Sequence, residues 1–119
     1  MEKILGAWNL KTVTYHQAGE VYQYDDIKGI LLYTFDGYFS VSLKMNPTPK
    51  TPYHPNLILN YYSAGKFSPD GDLLNEENII HGFDKRMGEK RQVKIQLEPN
   101  SLKQFFEFSE SCLIMTWVR

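Results

Sequence analysis

An all-β fold, an up-and-down antiparallel barrel of about eight strands, is what this sequence predicts, and three observations carry the prediction. Turn signals recur at short intervals along the 119 residues, at Ala18-Gly19-Glu20, Asp36-Gly37, Asp70-Gly71-Asp72, Gly88-Glu89, Pro99-Asn100-Ser101 and Ser109-Glu110-Ser111. The runs between them have strand length and are rich in Val, Ile, Tyr, Phe and Thr, whose branched or flat side chains suit a pleated surface. Within those runs apolar and polar residues alternate with the period of two that a half-buried strand requires.

The first strand is expected over residues 5–15 and the second over 28–35, which Asp36-Gly37 joins to a third over 38–45. Asp-Gly between two apolar runs is a strong hairpin signal, because both residues tolerate a positive φ. In the third strand Phe39, Val41, Leu43 and Met45 share one face and Tyr38, Ser40, Ser42 and Lys44 the other. Residues 46–55 carry Pro47, Pro49, Pro52 and Pro55 and form the one long loop, since proline cannot donate to a sheet ladder. Five more strands follow over 57–67, 73–83, 91–97, 102–108 and 113–118. Helices are few, and no internal repeat or low-complexity segment interrupts the pattern. One domain over residues 1–119 is the expectation at this length.

Three stretches then resemble the small lipocalin-like domain proteins of bacteria and fungi. They are Ile4-Leu5-Gly6-Ala7-Trp8-Asn9-Leu10, Lys28 through Ser40 with its Asp36-Gly37 turn, and Leu113-Ile114-Met115-Thr116-Trp117-Val118-Arg119; Tyr62-Ser63-Ala64-Gly65-Lys66-Phe67 resembles that family's middle strand. The resemblance implies a lipocalin-like barrel. It also implies that Gly6 and Trp8 sit at the closed base, with the basic side chain of Arg119 across the indole as a structural closure. The chain departs from the family between Met45 and Tyr61, where relatives often carry a longer helical stretch and this sequence has its four prolines.

Thirteen basic residues against 14 acidic give a formal charge of −1, which provides no field for polyanions, so no nucleic-acid partner is expected. No apolar run approaches the roughly 18 residues of a membrane span. The single cysteine, Cys112, forms no internal disulfide, and the first residues, Met1 to Gly6, lack the apolar core of a secretory signal; both point to the cytoplasm. His16, His54 and His81 show no metal-ligand spacing, so neither metal nor cofactor is expected.

The candidate ligand-binding residues are Tyr33, Phe39, Val41, Tyr61, His81, Arg91 and Phe106. The aromatic and aliphatic members suit an apolar lumen needing a few fixed hydrogen bonds. Leu43, Phe108 and Met115 are grouped with them as lumen or core, the plain alternative being a small barrel that is simply filled. Alternation aims His81 inward, where a neutral imidazole orients a ligand or acts as a base, which makes it the one catalytic candidate. The competing assignment is an ordinary strand histidine hydrogen-bonded at the rim. Arg91 shares parity with Val93, Ile95 and Leu97 and so points inward to pair with a carboxylate, whereas its clustering with Lys85, Arg86 and Lys90 describes a solvated hairpin tip. Asp25-Asp26 and Glu76-Glu77 are neighbours only in sequence, because adjacent strand residues face opposite ways.

Three functions are compatible with this pattern. The first is binding of a small hydrophobic or aromatic molecule in the lumen. The second is a small barrel isomerase or cyclase of secondary metabolism, working through His81 or a tyrosine. The third is a homodimeric interaction module using outer-face aromatics such as Tyr22, Tyr24 and Phe105.

Overall fold

The computed structural model describes Glu2 to Arg119, and Met1 lies outside the described residues. A 3₁₀ turn at Glu2–Ile4 leads into nine strands: β1 (Gly6–Gln17), β2 (Glu20–Tyr24), β3 (Lys28–Tyr33), β4 (Tyr38–Lys44), β5 (Tyr61–Asp70), β6 (Leu73–His81), β7 (Lys90–Glu98), β8 (Ser101–Glu107) and β9 (Ser111–Val118). A second 3₁₀ turn, Asp84–Arg86, sits in the connection from β6 to β7. Among the described residues no helix is long and apolar enough to cross a membrane.

Every strand from β3 to β9 pairs antiparallel with the next, and β1 pairs with β9 from Asn9↔Val118 to Gln17↔Ser111, which closes the sheet on itself. The strand missing from the sequence prediction, β2, does not widen the barrel. It pairs with the second half of β1, Val13↔Tyr24 to Gln17↔Glu20, while β3 pairs with the first half, Gly6↔Tyr33 to Asn9↔Ile30. The two therefore lie in line as one interrupted stave, and the closed barrel has eight staves. The break falls at Asp25 and Asp26, where Asp25 accepts a hydrogen bond from the Thr12 hydroxyl and Asp26 accepts one from Tyr53. The turn into β2 has Ala18 and Gly19 both at positive φ, 53° and 78°, the two-residue hairpin geometry whose twist matches the flanking strands.

The inward faces form one core, with Ile4, Trp8, Leu74, Leu102 and Trp117 fully buried. The Trp8 indole donates to the Ile4 carbonyl at 2.8 Å, so the first 3₁₀ turn folds under the barrel as its floor. Arg119 seals that floor. Its guanidinium carbon stands 4.0 Å from the Trp8 ring centroid, and its nitrogens donate to the carbonyls of Leu5, Lys3 and Pro99. Arg119→Ala removes the ring contact and three hydrogen bonds, two to the segment that leads into β1 and one to the Pro99 carbonyl in the β7–β8 turn. Urea unfolding is expected to show a loss of about 2 kcal/mol, with less than half recovered by Arg119→Lys, which cannot span three carbonyls from a planar face.

Several predicted boundaries are corrected. β3 ends at Tyr33, and Phe35, at 91% exposure, belongs to the hairpin turn that Asp36 and Gly37 complete. β5 begins at Tyr61, four residues later than the alternation suggested; Leu57 and Leu59 are buried without joining a ladder. Phe108 lies beyond the end of β8 and is exposed, so it is neither core nor lumen. Tyr24, expected on the outer face, is buried in the core, and Phe105 is half-buried.

Candidate functional site

The lumen is lined from three sides of the barrel. β3 and β4 contribute Leu31, Phe39 and Val41, β8 and β9 contribute Gln104, Phe106 and Met115, and Tyr61, Glu76 and Arg91 enter from β5, β6 and β7. These nine side chains surround a void of about 10 Å³, the room of one water molecule. Of the residues singled out from sequence, Phe39, Val41, Tyr61, Arg91 and Phe106 meet at this void. Tyr33 and His81 face inward but do not border it.

The chemistry of the lumen rests on polar groups in an otherwise apolar wall. Arg91 is drawn inward, and Lys90, its neighbour, points out and is 79% exposed along its side chain. The solvated-tip alternative therefore holds for Lys90 and not for Arg91. Arg91 places Nε and Nη2 on the same oxygen of Glu76, Oε1, at 3.1 and 3.0 Å, and its guanidinium carbon lies 5.2 Å from the Phe106 ring centroid. The Glu76 side chain is 2% exposed. Burial pushes its carboxyl above the ordinary value and the Arg91 charge pulls back against that rise. Glu76 and Arg91 are cross-strand partners in the β6–β7 ladder, so strand register puts the carboxylate opposite the guanidinium.

Beneath the ion pair runs a fixed relay. The Trp117 indole donates to Gln104 Oε1 at 2.9 Å, and the Gln104 amide donates to the Tyr33 hydroxyl at 3.0 Å. The indole has only a donor, so it dictates which way the Gln104 amide is turned. Burial, with the nearby Glu76 charge adding to it, holds the Tyr33 phenol neutral well above its usual range.

His81 reaches the interior through a bulge. The β5–β6 register shifts between Ala64 and Gly65, so Asn78 and His81 both turn inward while Ile79 and Ile80 both face out. His81 stacks on Tyr61 with ring centroids 5.2 Å apart and planes at 16°. Its Nδ1 accepts a hydrogen bond from the Phe83 amide at 2.9 Å, which assigns the neutral imidazole proton to Nε2. Burial first, then the Arg86 and Arg91 charges, lower its pKa and keep it neutral. An imidazole whose one basic nitrogen already holds a backbone N–H serves as a donor and packing surface, and the geometry does not favour it as a general base.

At the barrel end opposite Trp8, the proline-rich segment between β4 and β5 folds across toward the β1–β2 hairpin. Tyr53 donates to Asp26 at 2.8 Å and meets Tyr24 edge-on at 5.0 Å; His54 lies against both Tyr15 and Tyr22, at 5.2 and 5.1 Å. The Tyr24 hydroxyl accepts from the His54 amide, and Asn56 donates to Gln17. Short polar contacts thus clip residues 53–56 to the β1–β2 hairpin, and Leu57 and Leu59 are buried behind them. Tyr53→Phe keeps the ring contact and deletes both the bond to Asp26 and the one the hydroxyl accepts from the Asn46 amide. About 1 kcal/mol of local stability should be lost, read as faster hydrogen exchange at the amides of residues 46–60 with the rest of the barrel unchanged.

A second concavity, of about 910 Å³, is an open saddle lined by outward side chains such as Tyr38, Lys66, Asn75, Glu77, Lys90 and Gln92, and also by Phe67 and by the Glu76–Arg91 pair, which borders both the saddle and the lumenal void. It is wide and open, lined by charged groups together with Phe67, and lacks the enclosure of a small-molecule site.

Among solved structures, a lipocalin-like protein from Bacteroides uniformis superposes with a TM-score of 0.54 at 16% identity, covering 95% of this chain and 96% of that one. The fold is lipocalin-like. An uncharacterized protein from Bacteroides eggerthii gives a TM-score of 0.53 at 13% identity, over 94% of this chain and 97% of that one. Fatty-acid-binding protein 1 of Echinococcus granulosus aligns with a TM-score of 0.49 at 13% identity, over 100% and 98% of the two chains. No protein-family model matches the sequence. No curated protein matches it either.

Sequence reasoning set Glu76 aside with Glu77 as a pair on opposite faces, and it did not single out Gln104. The available signal was parity: Glu76 lies in step with Leu74 and Asn78, and Gln104 with Leu102 and Phe106, all on the buried faces of their strands.

Proposed function

We propose that this barrel binds one small, mostly apolar molecule in its lumen, with a polar end directed at Glu76, Arg91 and Tyr61. The observation that carries the reading is the ion pair at the edge of an apolar void, in which the Glu76 side chain is buried and the Arg91 side chain is 24% exposed. A buried ion pair adds little to stability compared with a well-packed apolar pair, so its place among Phe39, Val41, Phe106 and Met115 is better accounted for by recognition. The void as it stands admits one water, whereas organic ligands need about 300 Å³ or more. Entry therefore requires the segment 46–60 to swing out, taking Leu57 and Leu59 with it and giving up the Tyr53–Asp26 and His54–Tyr24 contacts. Those are few and exchangeable bonds, unlike the continuous ladders elsewhere in the barrel.

The test is native mass spectrometry of protein purified without denaturant, followed by organic extraction. A stoichiometric apolar adduct is the expected result. A bare chain mass that persists after incubation with apolar alcohols, acids and aromatics would remove the reading.

A second reading, self-association, is favoured by one observation on the outer face. The cross-strand rows Ala7–Leu32–Ser40–Ala64–Ile80 and Asn9–Ile30–Ser42–Tyr62 run across the β1–β3–β4–β5–β6 sheet without a single charge. Ile30, Leu32, Tyr62 and Ile80 are exposed there. Apposing two such faces about a twofold axis meets no like-charge repulsion at its centre. Sedimentation that stays monomeric at millimolar concentration would exclude it; a concentration-dependent dimer abolished by Ile80→Lys would support it.

A further inference from the structure

We infer that the polar group this lumen receives is a neutral hydroxyl, and that Glu76 is the residue that turns carboxylates away. The inference rests on the lumenal-binding reading above. Three polar atoms at the void are uncommitted. Both Arg91 hydrogen bonds to Glu76 fall on Oε1, and among the described residues Glu76 Oε2, Arg91 Nη1 and the Tyr61 hydroxyl have no protein hydrogen-bond partner. All three side chains line the void, and Glu76 and Arg91 border the open saddle as well. The three atoms offer one acceptor and two donors. A hydroxyl matches that set: it donates to Oε2 and accepts from Nη1 or from the tyrosine.

Charge sharpens the choice. The site already holds one cation and one anion in contact, and an inserted carboxylate makes two anions facing one guanidinium inside an apolar wall, where like charges are weakly screened. An ammonium meets the reverse difficulty at Arg91. A neutral oxygen leaves the pair balanced and is close in size to the single water the void accommodates, so its apolar remainder extends toward Phe106. Parity alone had put Arg91 inward to receive an acidic ligand. Glu76 overturns that, because the protein supplies the carboxylate itself.

The experiment compares matched probes, decanol with decanoate and naphthol with naphthoate, by isothermal titration at neutral pH on the wild-type chain and on Glu76→Gln. The wild type is expected to bind the alcohols at least about tenfold more tightly than the acids. Glu76→Gln, which keeps the shape and removes the negative charge, is expected to reverse the order as Arg91 loses its counter-ion. Wild-type affinity for the acids equal to or above that for the alcohols would overturn the inference and leave lumenal binding standing. Failure of every probe on both proteins would overturn lumenal binding itself. The wild-type ratio decides the matter should the variant not fold.

Discussion

Gly65→Ala is expected to prevent the barrel from folding or to lower its stability by at least about 3 kcal/mol, read as a loss of cooperative thermal unfolding. Gly65 sits at the β5–β6 register shift, and a Cβ built on it would lie 1.8 Å from the Glu77 carbonyl oxygen and 2.8 Å from its carbonyl carbon. The obstacle is backbone on the neighbouring strand, which has no rotamer to change. Relief requires the ladder to slip, and a one-residue slip along β6 would exchange the inward Leu74 and Glu76 for the outward Asn75 and Glu77. The bulge is thus what lets Asn78 and His81 both face the interior, and glycine is what lets the bulge close.

Arg91→Met is the second large effect. It strands Glu76 as an unpaired buried carboxylate, and a loss of about 3–5 kcal/mol is expected in denaturant titrations. Adding Glu76→Leu should restore most of it, because two well-packed apolar side chains need no compensating charge. The pH dependence has a defined sign. Burial already holds the Glu76 carboxyl above the ordinary carboxylate range in the folded protein, and removing the guanidinium lifts it further. A folded state that holds its proton more tightly than the unfolded chain gains stability as pH falls. The deficit of Arg91→Met relative to wild type should therefore shrink on acidification from neutrality toward 4.5. A deficit that stays constant would mean that Glu76 is not the group left exposed to the loss.

The barrel was legible because alternation survives wherever a strand has one wet face. Phe39, Val41 and Leu43 in β4 and Val93 and Ile95 in β7 are all buried, with their neighbours exposed or, at Ser40, half-buried. Alternation, however, reports burial and not pairing. Leu57, Ile58 and Leu59 are 7%, 62% and 3% exposed, the signature of a strand, yet they belong to an extended plug with no ladder. The short β2 escaped notice because Asp25-Asp26, poor strand formers, follow it directly and hide that it continues into β3.

At the site, the parity of Arg91 pointed inward while the surrounding Lys85, Arg86 and Lys90 pointed to solvent. What decides between them is Glu76 on the facing strand, and the β6–β7 register that sets the two opposite each other spans an eight-residue connection that local sequence does not fix. The Trp8–Arg119 contact joins the two ends of the chain, and the family resemblance rather than spacing indicated it.

Chemical-shift mapping of the backbone amides during titration with decanol tests the central claim most directly. Lumenal binding predicts saturable shifts at Phe39, Val41, Tyr61, Gln104 and Met115, accompanied by shifts in residues 46–60 as that segment swings out. Shifts confined to Ile30, Leu32, Tyr62 and Ile80 would place the contact on the outer face and contradict it.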